Sequence, residues 1–138
     1  MLRGLTTIRL VADDVLAAAA WYTELLGVEP YFKRDIEEVP AYVEFRIGDY
    51  QHELGIANTR FVPHTHADKT AGTLVYWHVD DVQGTLDRLL SLGATVHEPL
   101  IERGPGFVTA SVIDPFGNVL GVMYNQHYLD ILGTRHIS

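Results

Sequence analysis

The sequence predicts an α+β fold made of two tandem βαβββ modules that close into a cupped, mixed β-sheet. Three observations carry that prediction: a phrase that occurs twice at a nearly constant spacing, a helical apolar period inside each copy, and turn residues that punctuate the extended runs behind it.

The repeat sets the frame. VADDVLAAAAWYTELLG, from Val11 to Gly27, and HVDDVQGTLDRLLSLG, from His78 to Gly93, share one order: an apolar strand end, paired aspartates, an amphipathic segment and a glycine. The offset is 67 positions at Val11 and His78 and 66 at the two glycines, so one structural unit is used twice. In each copy an aspartate is placed to cap a helix, because its carboxylate accepts a backbone N–H at the positive end of the helix dipole. Val15, Ala18, Ala19, Tyr22, Leu25 and Leu26 then recur at helical spacing, as do Val82, Leu86, Leu89 and Leu90 in the second copy. That spacing predicts one buried face on each helix. Gly27 and Gly93 supply the left-handed residue that ends many helices, and Glu-Pro steps at Pro30 and Pro99 follow.

Extended runs come next. AYVEFRIGDYQHELGIA and FVTASVIDPFGNVLGVM match at an offset of 66, from Ile47 with Ile113 to Ile56 with Val122. The turns GDY and DPFGN fall at equivalent places, so each run reads as a hairpin. Each half is strand, helix, short strand, hairpin. The chain is read as a single domain, 1–138, with modules at 5–58 and 73–125, a polar connector at 59–72 and a tail at 126–138. The helix of a module shields one sheet face only, and pairing two modules closes the other face around a cavity. From Tyr124 onward the chain carries Tyr124, His127, Tyr128, Leu129, Ile131 and Leu132, and the tail is too apolar to hang free in water. It is expected to pack on the body, on a partner subunit or over the cavity mouth.

Bulk composition narrows the function classes. With 138 residues and 47% hydrophobic side chains the chain can bury a real core. No apolar run approaches the about 20 residues of a membrane helix, and MLRGLTTIRL lacks the stretch and cleavage site of a secretory signal. A cytoplasmic protein without membrane contact is the expectation. The chain has no cysteine, which excludes disulfides and thiolate metal sites. A formal charge of −8 with ten scattered Lys and Arg argues against nucleic acid and toward a neutral or cationic small ligand. There is no nucleophile elbow, phosphate loop or HExxH pattern.

The repeated unit, the WYTELLG helix end and above all DPFGN followed by a strand resemble the vicinal oxygen chelate superfamily: glyoxalase I, extradiol dioxygenases, and fosfomycin and bleomycin resistance proteins. The resemblance spans Leu5 to about Tyr124 and implies that superfamily's fold; a homodimer is expected because related proteins pair their modules within or between chains and open sheet edges favour association. It also implies where a divalent metal would be held: one ligand from the first and one from the last strand of each half. Those positions fall on Thr7, Gly55, Leu74 and Gly121. Leucine and glycine offer no donor and a lone threonine hydroxyl a weak one, so the expectation is no metal and no cofactor. If the first hairpin is slipped by two residues, Glu53 replaces Gly55, and a single carboxylate is still a poor site.

By strand alternation the presumed cavity is lined by Thr7, Arg9, Glu53, Gly55, Leu74, Tyr76, His78, Gly121 and Met123. The glycines read as space for a ligand. His78 and Glu53 are the candidate general bases. Each polar group has a plainer reading beside it: His78 as a structural donor, Glu53 and Arg9 as a buried ion pair, Tyr42 and Tyr76 as packing aromatics; Glu44 and Arg46 share the cavity face or the other alternating face, with a solvated edge as the plainer reading. His64 and His66 in the connector lack further ligands. Three functions stand open: a metal-free binder of a small organic molecule, a glyoxalase-like lyase, isomerase or dioxygenase with an unconventional metal site, and a metal-independent enzyme using His78 or Glu53.

Overall fold

Asp14 and Asp81 do what their positions predict. Each sits in extended backbone and caps a helix, accepting the N–H of Ala17 at 3.0 Å and of Gly84 at 3.0 Å. A computed structural model describes residues 1, 3–62 and 73–137, excluding the side chains of 135–137. Most of the connector, with His64 and His66, lies outside the described residues. The chain forms two compact units, Met1–Thr70 and Ala71–Ser138.

Unit 1 comprises β1 (Thr7–Ala12), α1 (Val15–Leu26), β2 (Phe32–Ile36), β3 (Val39–Ile47) and β4 (His52–Asn58), followed by a 3-10 turn at Thr59–Phe61. Its sheet runs β1-β4-β3-β2, with β1 parallel to β4 and the other pairs antiparallel. Helix α1 buries Val15, Ala18, Ala19 and Tyr22, and ends at Gly27 with φ 72°. Against it lie the alternate sheet residues Ala41, Val43, Phe45, Leu54 and Ile56, all 5% exposed or less. Burying Phe45 and Ile56 completely contributes about 1.5–3 kcal/mol each. Leu25 and Leu26 are only half-buried.

Unit 2 repeats the order: β5 (Tyr76–His78), α2 (Val82–Ser91), β6 (Thr95–Gly104), β7 (Phe107–Ile113) and β8 (Val119–Asn125), in a sheet β5-β8-β7-β6 with β5 parallel to β8. Helix α2 buries Val82, Leu86 and Leu89. Leu90, expected on that face, is 38% exposed: it follows Leu89 by a single 100° step and turns outward. Leu74 was expected in the first strand of this half but precedes β5. The DPFGN turn is pinned by Asp114, whose buried carboxylate accepts the N–H groups of Phe116 and Asn118 at 2.9 and 2.8 Å, while Gly117 takes φ 91°. The tail is a helix, α3 (Gln126–Ile137), begun by Asn125, whose side-chain oxygen accepts the His127 N–H. Tyr128 of α3 stacks on His78 with ring centroids 4.6 Å apart, which packs the tail on unit 2.

Candidate functional site

The face of the unit 1 sheet turned away from α1 is built in rows by the strand register. Across β1, β4, β3 and β2 the rows read Val11, Ala57, Tyr42, Arg34, then Arg9, Gly55, Glu44, Phe32, then Thr7, Glu53, Arg46. Pairing places Thr7 beside Glu53, and its hydroxyl donates to the Glu53 carboxylate at 2.6 Å. Thr7, Arg9, Glu53 and Gly55 are thus brought together as the alternation predicted. Arg9 makes no ion pair with Glu53 among the described residues; the carboxylate is met by a hydroxyl instead. Glu44 and Arg46, whose spacing allows either face, lie on this one, Arg46 exposed to solvent and Glu44 half-buried.

Gly55 does not leave an open space. A Cβ built there would run into the Tyr42 ring, whose Cε1 lies 2.7 Å away. The tyrosine from the neighbouring strand occupies the room that the glycine vacates. Its hydroxyl donates to Glu44, which also accepts from Tyr31, while Arg46 lies 4.4 Å over the Tyr31 ring. Partial burial, reinforced by the Glu53 charge and offset by Arg46, holds the Glu44 carboxyl above its ordinary pKa. Burial and Glu53 likewise push the Tyr42 phenol up, against the pull of Arg9. Glu44 and Tyr42 thus join Thr7, Arg9, Glu53 and Gly55 on this face. The signal was there, since both alternate with the buried Ala41, Val43 and Phe45.

Beside this cluster a depression of about 390 Å³ opens on the sheet, lined by Arg9, Phe32, Arg34, Ile36, Tyr42 and Phe61, with Ala41, Ala57 and Val62 completing it. Its lining sets aromatic walls beside two guanidinium groups.

The equivalent face of unit 2 repeats the device at Gly121. A Cβ there would stand 2.5 Å from the Val75 carbonyl oxygen and 2.8 Å from Tyr76 Cδ1. The Tyr76 hydroxyl donates to Glu98 at 3.3 Å, and Ser111, fully buried beneath, donates to the same carboxylate oxygen at 3.2 Å. Burial and the Glu98 charge raise the Tyr76 pKa. Met123 pairs with His78 in the next row. His78 is held on three sides: Nδ1 accepts the Asn125 N–H at 3.2 Å, Tyr128 stacks on the ring, and Tyr124 lies 5.3 Å away. With Nδ1 an acceptor the proton sits on Nε2, which is buried and 3.5 Å from Asp80. The arrangement ties β5 to the start of α3. Nε2 is left as a buried ring nitrogen without a hydrogen-bond partner among the described residues.

The family model for the glyoxalase/bleomycin resistance protein/dioxygenase superfamily matches residues 4–122. The chain belongs to this superfamily. Among solved structures it is similar to a lactoylglutathione lyase from Agrobacterium tumefaciens, with 20% identity, TM-score 0.66, and coverage of 93% of this chain and 98% of that one. A superfamily member from Sphaerobacter thermophilus aligns with TM-score 0.67 at 16% identity, over 88% and 97%. A glyoxalase-related enzyme from Fulvimarina pelagi aligns with TM-score 0.64 at 20% identity, over 91% and 90%. At these identities the likeness concerns the fold. No match to a curated protein emerged.

The donor chemistry of this chain does not fit the metal that the superfamily implies. Of the four positions, Thr7 spends its hydroxyl on Glu53, Leu74 has no donor, and at Gly55 and Gly121 any side chain would collide with Tyr42 or with the Val75 backbone. Among the described residues no three His, Asp or Glu side chains gather as a metal-binding group. No helix of the described residues is long and apolar enough to cross a membrane.

Proposed function

We propose that the protein binds a small organic molecule in the depression on the unit 1 sheet, without the metal used elsewhere in the superfamily. The single observation that carries this reading is the occupation of both glycine positions: the Tyr42 side chain covers Gly55, and the Val75 backbone with the Tyr76 ring covers Gly121, so neither has room for a ligating side chain. The adjoining depression supplies what binding needs, an apolar aromatic lining with convergent polar groups. A homodimer is part of the proposal on the strength of the resemblance and of the open sheet edges, with a cytoplasmic location as the default, and analytical ultracentrifugation tests the dimer.

The test is a thermal-shift screen of ring-bearing small molecules on untagged protein, with and without chelator and divalent ions. A binder raises the melting temperature by mass action. The expected result is stabilisation that chelator does not touch and that Phe61→Asp removes. Stabilisation only in the presence of a divalent ion would overturn the reading.

A metal-independent enzyme is the second reading, favoured by one observation. Glu44, with its raised pKa beside the depression, is a carboxyl suited to exchange a proton with a bound molecule. Turnover that survives chelator and is lost in Glu44→Gln would establish it.

A further inference from the structure

We propose that this face selects an anionic, ring-bearing ligand, a planar organic carboxylate, which Arg9 and Arg34 hold from the two outer strands of the sheet. The inference rests on the reading of the depression as the binding site and narrows that reading to one charge class. β1 and β2 are the first and last strands of the order β1-β4-β3-β2, so the two arginines approach the depression from opposite sides, across three strand spacings of about 4.8 Å each. Between them the floor is low, because Ala57 stands in the row that joins Val11 to Tyr42.

The walls and the charges point to the same chemistry. Phe32, Tyr42 and Phe61 offer aromatic surface on which a flat ring packs by edge or offset contact. A guanidinium presents a planar fork of N–H donors that matches a carboxylate better than an ammonium does. Among the described residues no carboxylate forms an ion pair with Arg9 or Arg34. The two glutamates on this face have hydroxyl partners, Glu53 with Thr7 and Glu44 with Tyr31 and Tyr42. The guanidinium N–H groups of Arg9 and Arg34 are therefore left for a ligand. The net charge of −8 had favoured a cationic ligand, yet at a site the nearest charges dominate, because distant exposed ones are screened within about 8–10 Å.

The experiment compares three probes of one shape and different charge on the full-length, untagged protein: naphthoate, naphthylmethanol and naphthylmethylamine, titrated by calorimetry at low and high salt. Naphthoate is expected to bind at least tenfold more tightly than the other two, with a preference that salt weakens. Arg9→Gln and Arg34→Gln are each expected to weaken naphthoate about tenfold, in line with loss of a charge-assisted hydrogen bond. Arg88→Gln, which removes one positive charge from the last turn of α2 and from no strand of this face, should leave it unchanged and serves as the folded control. Equal affinity for all three probes, or indifference to both arginine substitutions, would overturn the charge class while leaving binding at this face standing. Failure of all three probes to bind would overturn the binding reading as well.

Discussion

Gly121 and Gly55 occupy equivalent places, but their neighbours differ in stiffness. The Cβ of Gly121→Ala would press on the backbone oxygen of Val75, which also accepts the Gly121 N–H, whereas that of Gly55→Ala would press on the end of the Tyr42 side chain. A side chain can swing aside and a paired strand cannot. Gly121→Ala is therefore expected to cost about 1–3 kcal/mol in chemical denaturation, and Gly55→Ala visibly less, with loss of the Tyr42–Glu44 contact as its signature. Asp114→Ala strips two backbone N–H groups of a buried acceptor, and a loss of about 2–3 kcal/mol is expected from the same measurement. Glu44 carries a pH prediction. Its pKa is higher in the fold than in the unfolded chain, so its contribution favours folding at low pH and is lost as pH rises through the raised value. Glu44→Gln should then raise the melting temperature at neutral pH, with the difference shrinking as the pH falls into the carboxylate range. A difference that grows on acidification would contradict the assigned cause. The sequence showed which side chains alternate on this face. It did not show that the glycines' space is filled from the adjacent strand, because that depends on a tyrosine rotamer and not on spacing.

At the scale of elements, legibility followed local chemistry. Both helices were readable because cap, apolar period and terminal glycine agree in Asp14 to Gly27 and again in Asp81 to Gly93. The β2–β3 hairpin gave no turn signal: its two connecting residues are Glu37 and Glu38, with φ 50° and 66°, a conformation that asparagine and glycine favour. Packing of β2 against β3 imposes it. Replacing the pair by Asn-Gly is expected to stabilise unit 1 by about 0.5–1 kcal/mol, read as a shift in denaturation midpoint without a change of slope. Helix α3 was foreseen only as an apolar tail. Its helical period is weak, and what orders it is contact with His78, a residue far away in sequence. The same contact explains why His78, plausible as a base from its strand position, is a tie between strand and helix.

For the molecule as a whole, the duplication was the strongest signal in the sequence, and the two units reproduce it strand for strand. Function was less legible because the scaffold is shared by many chemistries and the residues that distinguish this chain are absences at the ligand positions. The direct measurement is the metal content and divalent-ion affinity of untagged protein, by elemental analysis and equilibrium dialysis against manganese, iron, nickel and zinc. The account predicts substoichiometric metal and no saturable site. One tightly held ion per chain, released with loss of ligand binding, would contradict it.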